Sequence, residues 1–237
     1  MIPSELSRPS ENRILAALPQ KDLDTMLPHL EPVSVPLGAV LFEPNAVMDS
    51  VYFVESGMVS LVALTQEGET FEVGVVGNLG IVGVTVFFEE KKSHHRAIVQ
   101  ANGTTALAMK TSAFKTLCDQ IPGLQQLVRR YSAALFRQIT QTAICTRFHG
   151  TDARLRRWLL QTRDCVKSNS LYLTQEFLAQ MLGIYRPGVT LAARTIQNAG
   201  LIKYSRGHIT ITDQDGLQAA SCECYKVISE SYDWIFE

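Results

Sequence analysis

The texture of the chain changes at about residue 111, and that change limits the architectures open to it. Before it lie five runs rich in β-branched and aromatic residues: Val51–Val54, Met58–Leu64, Thr70–Val76, Arg96–Gln100 and Thr105–Met109. Ser56-Gly57, Glu67-Gly68, Gly77-Asn78 and Asn102-Gly103 separate them. Short strands at this spacing, with turn chemistry between them, predict an antiparallel sandwich or barrel from about Val33 to Met109. From Ser112 to Cys165 strand signals all but vanish. A short helix is expected over 112–119, then Pro122-Gly123, then a long helix to about Phe148. Ahead of the strands, residues 10–30 read as short helices, with Ser10 as the first cap and Pro19 and Pro28 as punctuation. The class is α+β.

Along the long helix Val128, Tyr131, Leu135, Gln138, Thr142 and Cys145 recur at alternating spacings of three and four, a heptad seam with a polar end. A second apolar set, Leu124, Leu127, Phe136 and Ile139, is left to face the barrel. The plain alternative is one amphipathic helix packed on its own domain. The doubled apolar surface favours a second partner, and a two-fold dimer is the commonest. Val128, Tyr131, Leu135, Gln138 and Thr142 are therefore the expected dimer interface. His149-Gly150-Thr151-Asp152 ends this helix and opens another, Ala153–Cys165, with Asp152 as its cap.

Residues 174–196 have the grammar of two short helices around a tight turn. Thr174 is placed to cap the first, and Phe177, Leu178, Met181 and Leu182 share one face. Ala179 permits close approach, Gly183 can end the helix in a left-handed conformation, and Pro187 suits the first turn of the next. Val189, Ala192, Ala193 and Ile196 then face inward, leaving Arg186, Gly188, Thr190, Leu191 and Arg194 outward. Two β-rich runs flank Ser205-Arg206-Gly207 just beyond, forming a hairpin with basic residues near its tip. Helix, turn, helix and wing with an Arg- and Thr-bearing outer face point to DNA.

Net charge is only −1, which by itself argues against nucleic acid as a partner. Its distribution says otherwise. Residues 1–120 carry 8 Lys/Arg against 14 Asp/Glu, 121–147 carry 4 against 0, 148–212 carry 9 against 3, and 213–237 carry 1 against 6. A basic block between acidic ones is the footprint of a segment that meets nucleic acid. The first residues, Met1 to Glu5, show no secretory pattern, and the 5 cysteines are odd in number and scattered. Together they suit a cytoplasmic protein with reduced thiols and no membrane association.

The whole chain resembles the Crp/Fnr family, the cyclic-AMP receptor protein and its relatives, from roughly residue 30 to 212. The match includes Val51-Tyr52-Phe53-Val54-Glu55-Ser56-Gly57-Met58-Val59-Ser60, the long helix and the winged module. The resemblance implies a cupin-like, cyclic-nucleotide-binding-type barrel (1–120), a long dimerisation helix (121–148) and a winged helix-turn-helix (149–237). It also implies a homodimer on double-stranded DNA and contact with RNA polymerase. Arg186 matches the family's guanine-reading arginine, and a guanidinium can bond guanine O6 and N7 together. The glutamate that often follows is here Pro187, and the second arginine is Leu191, so the base code is altered. Thr190 and Arg194 are the remaining base-reading candidates; Thr174, Tyr185, Lys203 and Arg206 are the expected backbone contacts.

The family's nucleotide cassette places Gly-Glu before a helical turn and Arg-Ser or Arg-Thr about ten residues on. Here Val84 stands for the glutamate and His95 for the arginine, with Arg96 one place late. Cyclic AMP is not expected, and no other effector is identified. Adjacent His94 and His95 should diverge on a strand. Residues 1–117 lack the cysteines of the family's iron–sulfur sensors, and Cys222-x-Cys224, expected to face apart on a helix, lacks a second pair. No metal site and no cofactor are expected. Cys145 offers at most a redox thiol. No phosphate loop, serine elbow or HExxH motif suggests an enzyme, and Asp22 and Asp24 read as a solvated helix face. The competing function is a sensor module acting through protein contacts alone.

Overall fold

The computed structural model describes residues 10–237; the N-terminal segment read above for a secretory pattern lies outside the described residues. Two four-stranded antiparallel sheets, in the orders β1-β8-β3-β6 and β2-β7-β4-β5, face each other as the barrel. Their strands are β1 Glu31–Val35, β2 Val40–Phe42, β3 Ser50–Ser56, β4 Val59–Leu64, β5 Thr70–Val76, β6 Ile81–Val82, β7 Arg96–Val99 and β8 Thr104–Lys110. Alternation along them buries Val51, Phe53, Ala97, Val99, Leu107 and Met109 between the sheets. All five expected strands are present; β1, β2 and β6, two to five residues each, were not separately legible.

Among the described residues, two short α-helices, α1 Arg13–Ala16 and α2 Gln20–Met26, precede the barrel. The cap of α1 is Asn12 and not Ser10. Its side chain accepts from the amides of Ile14 and Leu15 and donates to the carbonyls of Val54 (2.8 Å) and Gly80 (2.9 Å). Ser10 instead donates to Glu55 at 2.9 Å.

After α3 (Thr111–Gln120) comes α4 (Pro122–Phe148), whose orientation reverses the expectation. Val128, Tyr131 and Leu135 are buried in the chain's own barrel core, and Gln138 and Thr142 are buried as well. The Tyr131 hydroxyl donates to the Ile81 carbonyl at 3.1 Å. Gln138 is no defect in a seam. Its amide accepts from the Val75 N–H at 2.6 Å and donates to the Val75 carbonyl at 3.3 Å and the Tyr232 hydroxyl at 2.9 Å. It thus pairs the free backbone of β5 as a neighbouring strand would. Gly74 makes the approach possible, since a Cβ there would lie 2.6 Å from Gln138 Oε1. Of the set assigned to the barrel, Leu124 is buried and Leu127 and Ile139 are half-buried. Phe136 is 72% exposed.

The helix α5 (Thr151–Val166) starts from Gly150, and Asp152, in its first turn, pairs with Arg156 at 3.0 Å instead of capping. A second core joins α5, α6 (Gln175–Leu182) and α7 (Arg186–Asn198) to the sheet β10-β11-β9. These strands are Ile202–Ser205, His208–Ile211 and Ser170–Tyr172 respectively. Met58, Val62 and Val75 carry this core onto the outside of the barrel. There Glu72, fully buried, accepts from Ser60 Oγ at 2.5 Å and Trp158 Nε1 at 2.6 Å. Burial pushes its carboxyl up from 4.5 to about 7, against the opposing pull of Ser60, Trp158 and the Arg157 charge.

The last segment departs from the expected domain. After α8 (Gln214–Ala219), α9 (Glu223–Asp233) returns to α4, and Ile228, Tyr232 and Ile235 join the barrel core. Cys222 is the residue before the first turn of α9, not a helical position. Its sulfur therefore turns to the same side as that of Cys224, and Cys145 and His149 supply the second pair that spacing alone did not reveal.

Candidate nucleic-acid interface

Local chemistry builds the winged module. Thr174 Oγ1 accepts from the Phe177 N–H at 3.1 Å and caps α6 as expected, which commits one side of a residue also assigned to the DNA backbone. Gly183 ends α6 at φ +58, and a Cβ there would sit 2.9 Å from Phe71 Cδ2 of the barrel. Both the dihedral and the space select glycine. Val189, Ala192, Ala193 and Ile196 are buried, so α7 presents the opposite face.

That face carries the expected readers. Arg186, the first residue of α7, is exposed, as is Arg194 two turns on; Thr190 between them is half-buried. Pro187 occupies the first turn, where its missing N–H costs nothing. Leu191 is 69% and Tyr185 90% exposed, unusual for large apolar or aromatic side chains without a partner. Gln175 was missed from the sequence. Its Oε1 accepts from Thr190 Oγ1 at 3.0 Å and from Arg186 Nε at 3.5 Å, holding both on one side of α7. Eleven and fifteen residues separate it from these partners, and no local spacing signals that relation.

The wing stands beside them. Lys203 is exposed on β10, opposite Thr210. Arg206 (φ +48) and Gly207 (φ +84) make the two-residue turn at its tip, the primed geometry that suits strand twist. Thr174, Gln175, Arg186, Tyr204 and Arg206 line one cleft between the wing and the two helices. The Tyr204 hydroxyl donates to the Leu173 carbonyl at 2.9 Å and fixes the wing to the turn before α6.

The charge tally overstates this surface. Arg154 and Arg157 are buried in α5: Arg154 donates to the Leu182 carbonyl and Arg157 to the Gln161 amide oxygen. Arg156 donates to the Ala220 carbonyl at 3.1 Å. Arg154 and Arg156 tie α5 to its neighbours, and Arg157 bonds to Gln161 of the same helix; the basic residues that α7 and the wing offer outward are Arg186, Arg194, Lys203 and Arg206.

The nucleotide cassette is also placed. Val84, buried, follows Gly83 in a short 3-10 turn. Arg96 pairs with Glu43 at 2.9 Å on the outer side of β7, the face opposite buried Ala97. Burial lowers the pKa of half-buried His95, with a smaller push from His94. His94 itself is exposed and turned to Glu90 at 3.2 Å, and both histidines lie in the bend before β7, not on the strand expected of them. Among the described residues no helix is long and apolar enough to cross a membrane.

The chain matches two family models: the cyclic nucleotide-binding domain over residues 32–121 and the Crp-like helix-turn-helix domain over residues 153–220. No curated protein sequence matches it significantly. Among solved structures it is similar to the c-di-GMP responsive global regulator CLP of Xanthomonas campestris (TM-score 0.67, 17% identity, 81% of this chain and 99% of that one). It is similar also to FixK2 of Bradyrhizobium japonicum (TM-score 0.66, 13% identity, 81% and 98%). A Crp/Fnr-family transcriptional regulator of Thermus thermophilus gives a TM-score of 0.63 at 20% identity, over 80% and 97%. At these identities the likenesses speak for the fold, while the two models, in family order on one chain, speak for descent. The chain belongs to the Crp/Fnr family and is a DNA-binding transcription regulator.

Proposed function

We propose that the protein acts as a homodimer on an inverted-repeat operator, with Arg186 reading guanine in the major groove. The observation that carries this is the exposed guanidinium at the start of α7, steadied by Gln175 and flanked by the wing. A bidentate Arg–guanine pair discriminates by about 1–3 kcal/mol. Leu191 suits the methyl of thymine, and Thr190 and Arg194 complete the reading face. Tyr185, Lys203 and Arg206 are disposed toward phosphates, which position without specifying.

The dimer surface that the burial pattern favours is the outer side of α4. Ala133, Phe136, Thr140, Ala143 and Arg147 alternate there at spacings of three and four, with Ile144 and Phe148 beside them. Phe136 and Phe148 are each 72% exposed. Burying such a stripe against its two-fold copy resolves an apolar surface otherwise left in water. Light scattering of Phe136→Glu tests this: monomers from a folded variant support it, and an intact dimer overturns it.

We further propose that DNA binding does not require cyclic AMP. Val84 cannot accept from a ribose hydroxyl, burial disfavours a charged His95, and Arg96 is engaged with Glu43. Losing two charge-assisted contacts weakens a ligand by roughly two to four powers of ten. Calorimetry with cyclic AMP and cyclic GMP at pH 6 and pH 8 should be silent while mobility shifts on genomic fragments proceed. Micromolar binding with a matching gain in DNA affinity would contradict it.

A further inference from the structure

Where α4 ends and the chain turns toward α5, four metal-ligating side chains from two distant stretches meet. Cys145 lies in the last turn of α4, and His149 caps that helix. Cys222 precedes α9, and Cys224 lies in its first turn. Their ligand atoms all fall within 4.8 Å of one another. Cys145 Sγ and Cys222 Sγ are 3.7 Å apart, and Cys224 Sγ and His149 Nδ1 are 3.4 Å apart. A tetrahedral zinc centre with Zn–S near 2.3 Å and Zn–N near 2.0 Å has edges of about 3.8 Å and about 3.5 Å respectively.

We propose that Cys145, His149, Cys222 and Cys224 bind one divalent, thiophilic cation of the zinc type, which staples α9 to the end of α4. The surroundings fit a metal centre better than three ordinary thiols and an imidazole. His149 presents Nδ1 to the sulfurs while Nε2 faces the Glu223 carboxylate at 3.3 Å. A carboxylate behind a ligating imidazole fixes its tautomer and raises its basicity. Gln141 Nε2 donates to Cys224 Sγ at 3.2 Å, a contact that supports a thiolate. Three thiolates around a divalent ion leave one net negative charge, and the Arg157 guanidinium next to Cys145 offsets it. On binding, each coordinating thiol gives its proton to solvent; no oxidation or reduction is involved. A disulfide between Cys145 and Cys222 would use only two of these groups, and nothing in that bond calls for His149, Cys224 and Glu223 to converge as well.

The position gives the ion a consequence. Phe148-His149-Gly150 is the passage from the long helix to the DNA-binding module, and α9 reaches it from the far end of the chain. A four-ligand staple here fixes where α4 stops and keeps α9 on the barrel core.

The test uses the full chain, produced without a metal-binding tag and purified under inert gas with a thiol reductant. Elemental analysis should find about one zinc per chain, and zinc replaced by Co(II) should show the visible absorption of a tetrahedral thiolate site. Cys222→Ser/Cys224→Ser should lose the metal, and Cys118→Ala, outside the cluster, should keep it. Chelation should speed amide hydrogen exchange in residues 223–233 more than in the barrel strands. Metal-free protein whose Co(II) titration gives no tetrahedral spectrum overturns the proposal, and this readout needs no variant to fold. Iron with labile sulfide at these residues, or a Cys145–Cys222 disulfide under the same reducing conditions, overturns it equally.

Discussion

Helices α7 and α4 both carry strong apolar periodicity, yet only α7 turns the face its sequence predicts. In α7 one apolar stripe, Val189, Ala192, Ala193 and Ile196, is flanked by mostly polar residues with Leu191 the large apolar exception, so one orientation buries it. In α4 apolar residues occupy both sides, and a heptad spacing fits either. What decides is a contact far away in sequence. Gln138 reaches the unpaired backbone of Val75 through the gap at Gly74, and Tyr131 reaches Ile81. Periodicity thus locates a helix, while long-range polar pairing sets its rotation.

Adjacent residues on α4 break or sharpen this contrast most strongly. Leu135 is 8% exposed, so Leu135→Glu places a carboxylate in the barrel core and should cost at least about 4 kcal/mol, enough to unfold a marginal protein. Phe136→Glu, one position on, should leave the melting curve nearly unchanged and remove only self-association. Circular dichroism and light scattering on the pair distinguish these outcomes. A folded monomer from Leu135→Glu would restore the seam read from the sequence.

Glu72 tests the contact between the barrel and the DNA-binding module. The folded protein holds its proton to about pH 7, against an ordinary 4.5, so its contribution is fully present below pH 4.5 and is lost as pH rises to 7. Through linkage this amounts to roughly 3 kcal/mol. Glu72→Gln should flatten the stability profile across that window and be the more stable protein at pH 8. Denaturant titrations at several pH values check it; parallel profiles for the two proteins would show that Glu72 is not buried as described.

Effects on DNA are smaller and depend on which surface is touched. Arg186→Ala should cost about 1–3 kcal/mol on the preferred site and little on unrelated DNA. Lys203→Ala should weaken all sequences alike and lower the salt slope by about 1. Exchanged behaviours would place Arg186 on phosphate and Lys203 on a base.

The winged module was legible because its signals are local. Thr174, Gly183 and Pro187 act within a residue or two of the turn they specify, and the hairpin turn is two residues long. The barrel was legible as strands separated by turns, though its shortest strands carry too few residues to alternate visibly. What escaped depends on distant pairing: Gln175 with Arg186, Gln138 with Val75, and Cys145 with Cys222, 77 residues apart. The segment-by-segment charge tally misled for a related reason, since counting cannot tell that Arg154 and Arg157 are interior.

The central claim is that a dimer reads DNA through Arg186, and selection of bound sites from random duplexes addresses it most directly. The wild-type protein should enrich an inverted repeat with half-sites about 34 Å apart, one helical turn, and an invariant guanine in each. Arg186→Ala should keep the spacing and lose the preference at that guanine alone. Enrichment of the same guanine by Arg186→Ala, or of single half-sites by the wild-type protein, would contradict the account.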